Sequence, residues 1–488
     1  MGTEIGMKRI LTTAVVAAGV TTVFAGEFKA GFARTDITPP LGVYMPGYFP
    51  MRYAKEILDP LQVNAVAFSD GKRTAFVVQV DTIGISDPVA DVMRDEIAKA
   101  TGVDRAAILL HASHTHDGGD LGSRKKQCTP SCGNGKDCLT CLYEKMSVTR
   151  VRDAAVEAVR DLKPAKLSYQ RSFARRISFG RRYKMKDGKE RTNPGTNNPD
   201  IVGPAGNPPD ESVQLLRVDR NGGMPICLVN FQTHPDVVGG ETITADWPGL
   251  TRTVFEAATL GNSHCIVING AQGDLNHCNV QPRPGELNGL KRDFDDVDRG
   301  YDHAWHMANV LAGAALSVWM KCIPLEAGDI KFGSLDVRVP AHKAKDADEK
   351  NLDWANKIWA LHEAGRDEEF PWKGMELTTE LARARRIRNM ANHADFHDLP
   401  VYAVAIGKSV AFGGFPGEPF NDIGKAVKKN SPFTVTIISC LTNGRRGYFP
   451  FSDAYVGGGY ESATSPFGPS VADDLIKGQT ELLGRLYR

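Results

Sequence analysis

The chain has 488 residues, 42% hydrophobic and 24% charged, the proportions of an ordinary globular protein. Lys and Arg number 59 against 58 Asp and Glu, a formal net charge of +1. That balance supplies no electrostatic reason for nucleic acid, or for an anionic membrane as the main partner.

At the N-terminus, Lys8 and Arg9 lead into the apolar run Ile10 to Phe24. Val23 and Ala25 then place small residues at the −3 and −1 positions of a cleavage site. The pattern predicts a signal peptide over residues 1–25, too short for a comfortable membrane span, and hence a periplasmic or secreted protein. A buried N-terminal helix is the alternative.

From Gly26 onward strand-like and helix-like stretches alternate. "NAVAFSD" and "TAFVVQVD" predict two strands about the turn Asp70-Gly71-Lys72, and "DPVADVMRDEIAKATG" a helix stopped by Gly102. "AAILLHASHTH" reads as a strand running into a loop. Cys128, Cys132, Cys138 and Cys141 follow at C-x3-C-x5-C-x2-C spacing, which suits a structural zinc or, in an oxidising compartment, two disulfides. Residues 145–161 predict a second amphipathic helix. "VQLLRVD" and "ICLVNFQTH" predict another strand pair, followed by a helix at "WPGLTRTVFEAATLG", the strand "CIVINGAQGD" and the helix "YDHAWHMANVLAGAALSVWMK". Residues 341–395 are charged and helical, and strands return at "LPVYAVAIGKSVAFGGFPGEPF" and "FTVTIISCLTNGRRGYFPF". No internal repeat, low-complexity tract or linker is visible in the residues. Residues 26–488 therefore read as one α/β domain of mixed β-sheets flanked by helices, with a helical insertion near 341–395.

Chemistry-bearing residues gather at the predicted strand ends, where loops carry sites. His114 and His116 stand two apart, so on a regular strand both imidazoles share a face, a good start for a zinc site; a hydrogen-bonded polar edge is the bland alternative. His111 has the opposite parity. His234 ends the next apolar strand, with Asp236 and Asp246 downstream. "INGAQGDLNHC" leaves Asp274, Asn276 and His277 at the tip of a turn that either contacts substrate or satisfies itself. Glu418 stands between two glycine-proline corners, and Tyr448, Tyr455 and Tyr460 follow. The basic stretch at 178–195 suits an anionic group or is a solvated loop.

Six short motifs, "GFARTDITPPLG", "SHTHDGGD", "NFQTHP", "NGAQGDLN", "FPGEPF" and "GYFPFSDAYVGGGYE", occur in the order seen in the neutral ceramidase family. Across residues 28–465 the chain resembles the N-terminal catalytic domain of that family. The resemblance implies a zinc-dependent amidohydrolase of a fatty acyl amide. It implies His114, His234, Glu418 and Tyr448 as the metal residues around Zn2+, His116 as proton carrier, and Tyr460 and an arginine as oxyanion partners. Arg182 is the best match for that arginine, with Arg181 the other candidate. Asp117 stands where the family has a serine, and the cysteine cluster follows at once. Asp117, Asp274 and Asn276 are the expected substrate contacts. The longer ceramidases carry a C-terminal immunoglobulin-like domain, for which the chain to Arg488 leaves no room. The expected substrate is a small molecule, sphingolipid-like or, if the departures near the site matter, carbohydrate-like, with membrane-surface or glycan contact accordingly. A carbohydrate-type substrate cleaved at a glycosidic, ester or N-acyl bond and a non-catalytic binding protein are the rival readings.

Overall fold

A computed structural model describes residues 27–122, 138–283, 291–292, 298–342, 349–390 and 395–488. The expected signal peptide, Cys128 and Cys132 lie outside the described residues.

The chain repeats one connectivity three times: a three-strand antiparallel meander, a helix, a parallel edge strand and a second helix. The first unit runs β1 (Lys29–Asp36), β2 (Gln62–Ser69), β3 (Thr74–Val80), α1 (Asp87–Thr101), β4 (Ile108–Ala112) and α2 (Leu139–Arg160). In the second unit the order is β5 (Lys163–Phe173), β6 (Ser212–Arg220), β7 (Gly223–Phe231), α3 (Asp246–Ala258), β8 (His264–Asn269) and α4 (Tyr301–Trp319). After a short strand β9 (Ile323–Leu325), the third unit follows with β10 (Ile330–Pro340), β11 (Phe396–Ile406), β12 (Val410–Gly414), α7 (Asn421–Asn430), β13 (Val435–Ser439) and α8 (Val471–Tyr487). The helices α5 (Glu349–Glu363) and α6 (Gly374–Met390) interrupt it between β10 and β11, where the sequence predicts a helical insertion. The repeat escapes the sequence because a strand or helix needs only a periodic apolar face, which unrelated residues supply equally well.

The first two units share a nine-stranded sheet of order β8-β7-β6-β5-β1-β2-β3-β4, with β9 alongside β5. The third forms a four-stranded sheet, β10-β11-β12-β13. Strand alternation sends each sheet's side chains to two cores. Val66 and Phe68 of β2, Leu216 of β6, Ile266 of β8, Val404 of β11 and Phe412 of β12 meet in one interior core shared by all three units. The alternate residues face each unit's own helices: Val63 and Ala65 in the first, Val213 and Val229 in the second, Val401 and Ala411 in the third. Among the described residues no helix is long and apolar enough to cross a membrane.

Each unit carries its long insertion at the same point, between the first two strands of its meander: residues 37–61, 174–211 and 341–395. The described parts of these segments lie at the end of the molecule where β3, β7 and β12 finish, each of these strands parallel to its edge strand. The inserted helices α5 and α6 have a small core of their own, including Ile358, Leu381 and Ile387, against which Phe49 of the first insertion packs.

Candidate metal-centred active site

The segments beyond β4, β7 and β12 converge. His114 lies just past β4, not on it: the strand stops at Ala112, and His114 adopts a left-handed backbone with φ 75°. The face-sharing argument for His114 and His116 therefore fails, because no regular strand carries them. What aims His114 is its hydrogen bonding. Its backbone N–H donates to the Thr82 carbonyl at 2.9 Å. Its Nδ1 donates to the Ile83 carbonyl at 2.6 Å, which turns Nε2 towards the other groups. His234, past β7, is held the same way, its Nδ1 facing the carbonyls of Leu275 at 2.8 Å and Gln272 at 3.0 Å.

Glu418 comes from the short strand Glu418–Pro419, which pairs in parallel with Tyr448–Phe449. Its Oε2 lies 3.3 Å from His114 Nε2 and 3.1 Å from His234 Nε2. Gln272 Nε2 donates to the same oxygen at 3.3 Å. The Tyr448 hydroxyl is 3.3 Å from His234 Nε2. His116 completes the group, its Nε2 3.4 Å from His114 Nε2, and the ligand atoms of His114, His116 and His234 all lie within 4.8 Å of one another.

These contacts fit a bound cation. A carbonyl oxygen can only accept, so Nδ1 of His114 and of His234 carries the proton. Burial, followed by the charge of Arg181, lowers the His234 pKa, leaving Nε2 a bare lone pair at neutral pH. A lone pair facing a carboxylate oxygen is unfavourable unless a positive ion sits between them. Ligands at about 2.0–2.1 Å from a tetrahedral zinc stand roughly 3.3–3.4 Å apart, the spacing found here. Imidazoles anchored through Nδ1 to backbone carbonyls are the usual arrangement of metal-bound histidines. His116 differs. Its Nδ1 is buried with no hydrogen-bond partner among the described residues, and burial, followed by the neighbouring His114, holds its pKa well below the usual range.

The phenols and Arg181 close one side. Arg181 Nε donates to Glu461 Oε1 at 2.5 Å, and its guanidinium lies 5.4 Å from the Tyr448 ring centre. Tyr460 meets Tyr448 edge to face at 5.7 Å. Burial raises the pKa of both tyrosines, so each keeps its proton. On the other side Tyr48 stands edge-on to His116 at 5.4 Å, and Arg52, stacked on Tyr48 at 4.3 Å, donates to the His116 carbonyl.

Several expected site residues lie elsewhere. Arg182 is not the arginine beside Tyr448: it pairs with Glu190 at 2.6 Å and stacks over Phe420 at 5.1 Å. In an extended strand adjacent side chains point oppositely, so only one of the pair can face the site. Asp117 is fully buried, bonded to Arg52 Nη1 at 3.1 Å and the Gly239 N–H at 3.1 Å. It ties the first insertion to the loop after His234 instead of meeting substrate. Asp274 accepts the Asn421 N–H at 2.7 Å and caps α7, and burial pushes its pKa up to about 6. Asn276 is spent on Asn193 and the Cys278 N–H. Both tie their turn to neighbouring segments instead of meeting substrate. Tyr455 bonds the Phe467 carbonyl at 2.7 Å, and Asp246 receives the Val237 N–H at 2.8 Å. His111 is structural, as its parity suggests, with Nδ1 on the Cys440 carbonyl and Nε2 accepting the Asn269 N–H.

Tyr48, Arg52, Gln272 and Glu461 are the site's unforeseen members. Gln272, inside the quoted "NGAQGDLN", and Glu461, the last residue of "GYFPFSDAYVGGGYE", had a local signal; Tyr48 and Arg52 reach the site through long-range packing.

The chain matches no family model and no curated protein. Its fold is that of the neutral ceramidases. The crystal structure of neutral ceramidase from Pseudomonas aeruginosa superposes with a TM-score of 0.67 at 16% identity, covering 94% of this chain and 75% of that one. A ceramidase complexed with C2 gives 0.66 at 17% identity, over 94% and 76% of the two chains.

Proposed function

We propose that the protein is an exported, zinc-dependent hydrolase that opens an amide (N-acyl) bond, as its ceramidase neighbours do in ceramide. The observation that carries this reading is the convergence of two carbonyl-anchored imidazoles and one carboxylate oxygen on a single point, 3.1–3.3 Å from oxygen to each nitrogen. His114, His234 and Glu418 would hold the ion, with the protonated Tyr448 beside it. Two imidazoles and a carboxylate are a familiar zinc set that leaves positions open. Export rests on the Lys8–Ala25 segment, and in that compartment the cysteine cluster reads as disulfides.

Hydrolysis adds water across the C–N bond: the carbonyl carbon gains the oxygen, and the nitrogen leaves carrying a proton. When bound, zinc supplies Lewis acidity, polarising the carbonyl and making a water acidic enough to lose a proton near neutral pH. His116, with Nε2 3.4 Å from that of His114, would be placed to take a proton from the attacking water and to deliver one to the leaving nitrogen. Tyr448 and Tyr460 keep their hydroxyl protons and can donate to the oxygen on which negative charge develops. Arg181, fixed by Glu461, presents a permanent positive charge behind Tyr448.

The test is metal content by mass spectrometry, joined to activity on a short N-acyl arylamide before and after chelation. One metal per chain, lost with activity in His114→Ala, is the expected result. A metal-free protein whose His114→Ala variant is as active as the parent overturns the reading.

A further inference from the structure

A cleft of about 850 Å³ lies between α6, the strands around residues 182–204 and the segment 455–463. It adjoins the proposed active site through a shared wall residue, Thr192. Thr192, on its wall, accepts the Tyr460 N–H at 3.2 Å and donates to Glu461 at 2.9 Å, the carboxylate that holds Arg181 against Tyr448. Its walls are mixed, not the continuous apolar surface of a lipid channel: Glu190, Asn193, Glu376, Glu380 and Arg383 line it beside Met185, Met375 and Val456. Apolar chains bind by losing water against apolar surface, and covering ionised groups with methylenes works against that.

Its charges also largely cancel. Glu190 pairs with Arg182 at 2.6 Å, Arg191 with Asp187 at 2.9 Å and Glu380 with Arg383 at 3.7 Å. A strongly ionic ligand therefore finds no net opposite charge. What the walls offer is a mixture of planar carboxylate, amide and guanidinium groups with a hydroxyl, acceptors and donors interleaved, which suits a ligand whose groups both donate and accept. An aromatic pair completes it: Tyr455 and His342 meet edge to face at 5.0 Å, and the Tyr455 hydroxyl is already bonded to the Phe467 carbonyl, so the ring itself is what remains to be packed against. Gly458, with φ 90° and no atom near a would-be Cβ, lets a ligand approach the backbone.

We propose that this cleft is a subsite for a neutral polyhydroxylated group, a sugar, on the amine side of the scissile bond, so that the substrate is an N-acylated amino sugar. The proposal rests on the amide-hydrolase reading above. The N-acyl carbonyl lies at the Tyr448 end, and the sugar extends towards Glu380 and Arg383.

Two measurements on the zinc-loaded full chain test it. The first is binding of an N-acetylglucosamine disaccharide, followed by saturation-transfer NMR and titration, in the parent and in Glu380→Gln and Arg383→Ala. Millimolar or tighter binding, weakened at least tenfold in variants whose melting temperatures match the parent, is expected. No binding, or binding that neither variant changes, overturns the subsite whatever the enzyme hydrolyses. The second compares kcat/KM for that disaccharide, for a long-chain ceramide in mixed micelles and for a short N-acyl arylamide. At least a tenfold preference for the sugar over ceramide is expected, and the reverse preference overturns the proposal. Sugar binding without hydrolysis of any of the three leaves the subsite standing and refutes the hydrolase reading instead.

Discussion

Glu418 presents one oxygen, Oε2, to His234 at 3.1 Å, with no hydrogen available between the carboxylate and the imidazole lone pair. The two residues come from different units of the fold, one past β7 and one past β12. Their closeness fits a cation held between them, and it makes the backbone that places Glu418 as important as the side chain itself.

Gly273 is part of that backbone. A Cβ there would stand 2.5 Å from the Glu418 carbonyl oxygen and 3.0 Å from that of Pro419, contacts that force the strand to move. Gly273→Ala removes no ligand, yet it should weaken metal affinity by about 10–100-fold, as loss of outer support typically does. Competition against a chelator of known affinity measures this. Unchanged affinity would mean that the Glu418 strand does not set the site.

His116 and His234 should separate on one experiment. His116→Gln is expected to keep its metal, because Nδ1 of His116 lacks the carbonyl anchor of the ligands, while kcat falls about 10²–10⁴-fold with the loss of the proton carrier. His234→Ala should lose metal and activity together. If His116→Gln is isolated without metal, His116 is a ligand and the assignment of roles is wrong.

Arg181 and Arg182 are adjacent but act on different quantities. Arg181→Ala should lower kcat by about 10²-fold, the typical effect of losing one stabilising group at an oxyanion. Arg182→Ala leaves buried Glu190 without its partner, which should cost roughly 3–5 kcal/mol of stability with kcat little changed. Kinetics and urea unfolding on both variants check this, and a larger kcat effect for Arg182→Ala would reverse the two assignments.

Asp70 locks the first unit to the third. From the turn between β2 and β3 its carboxylate accepts the N–H groups of Lys72 at 2.8 Å, Arg73 at 2.6 Å and Ile330 at 2.8 Å. Burial alone would raise its pKa, but these three donors outweigh burial and hold it below the usual carboxylate value. A depressed folded pKa means stabilisation that is complete above the unfolded value of about 3.9 and lost as pH falls through the folded one. Asp70→Asn should therefore cost about 1–3 kcal/mol at pH 7, and the gap from the parent should narrow below about pH 4. Urea midpoints at pH 7 and pH 3 measure it, and an equal gap at both would show that the ionised carboxylate contributes nothing.

Local periodicity revealed the last two strands of each meander, the parallel edge strands, α1 to α4 and the helical insertion that holds α5 and α6, because each such element must bury a face with its own period, but it marked neither the first strand of each meander, β1, β5 and β10, nor α7 and α8. It also placed His114, His234, Glu418 and Tyr448 at the ends of apolar strands, where parallel edges point towards a common rim. The tertiary structure alone decided which way side chains beyond those ends turn. His114 reaches its place through a left-handed backbone and the Ile83 carbonyl, not through strand parity. Arg181 and not Arg182 faces Tyr448, and Asp117, Asp274 and Asn276 are spent inside the protein. Tyr48 and Arg52 join the site from a segment remote in the chain. Outside regular elements a side chain's direction is set by the hydrogen bonds and charges that distant segments bring to it, and no periodicity in the sequence records those partners.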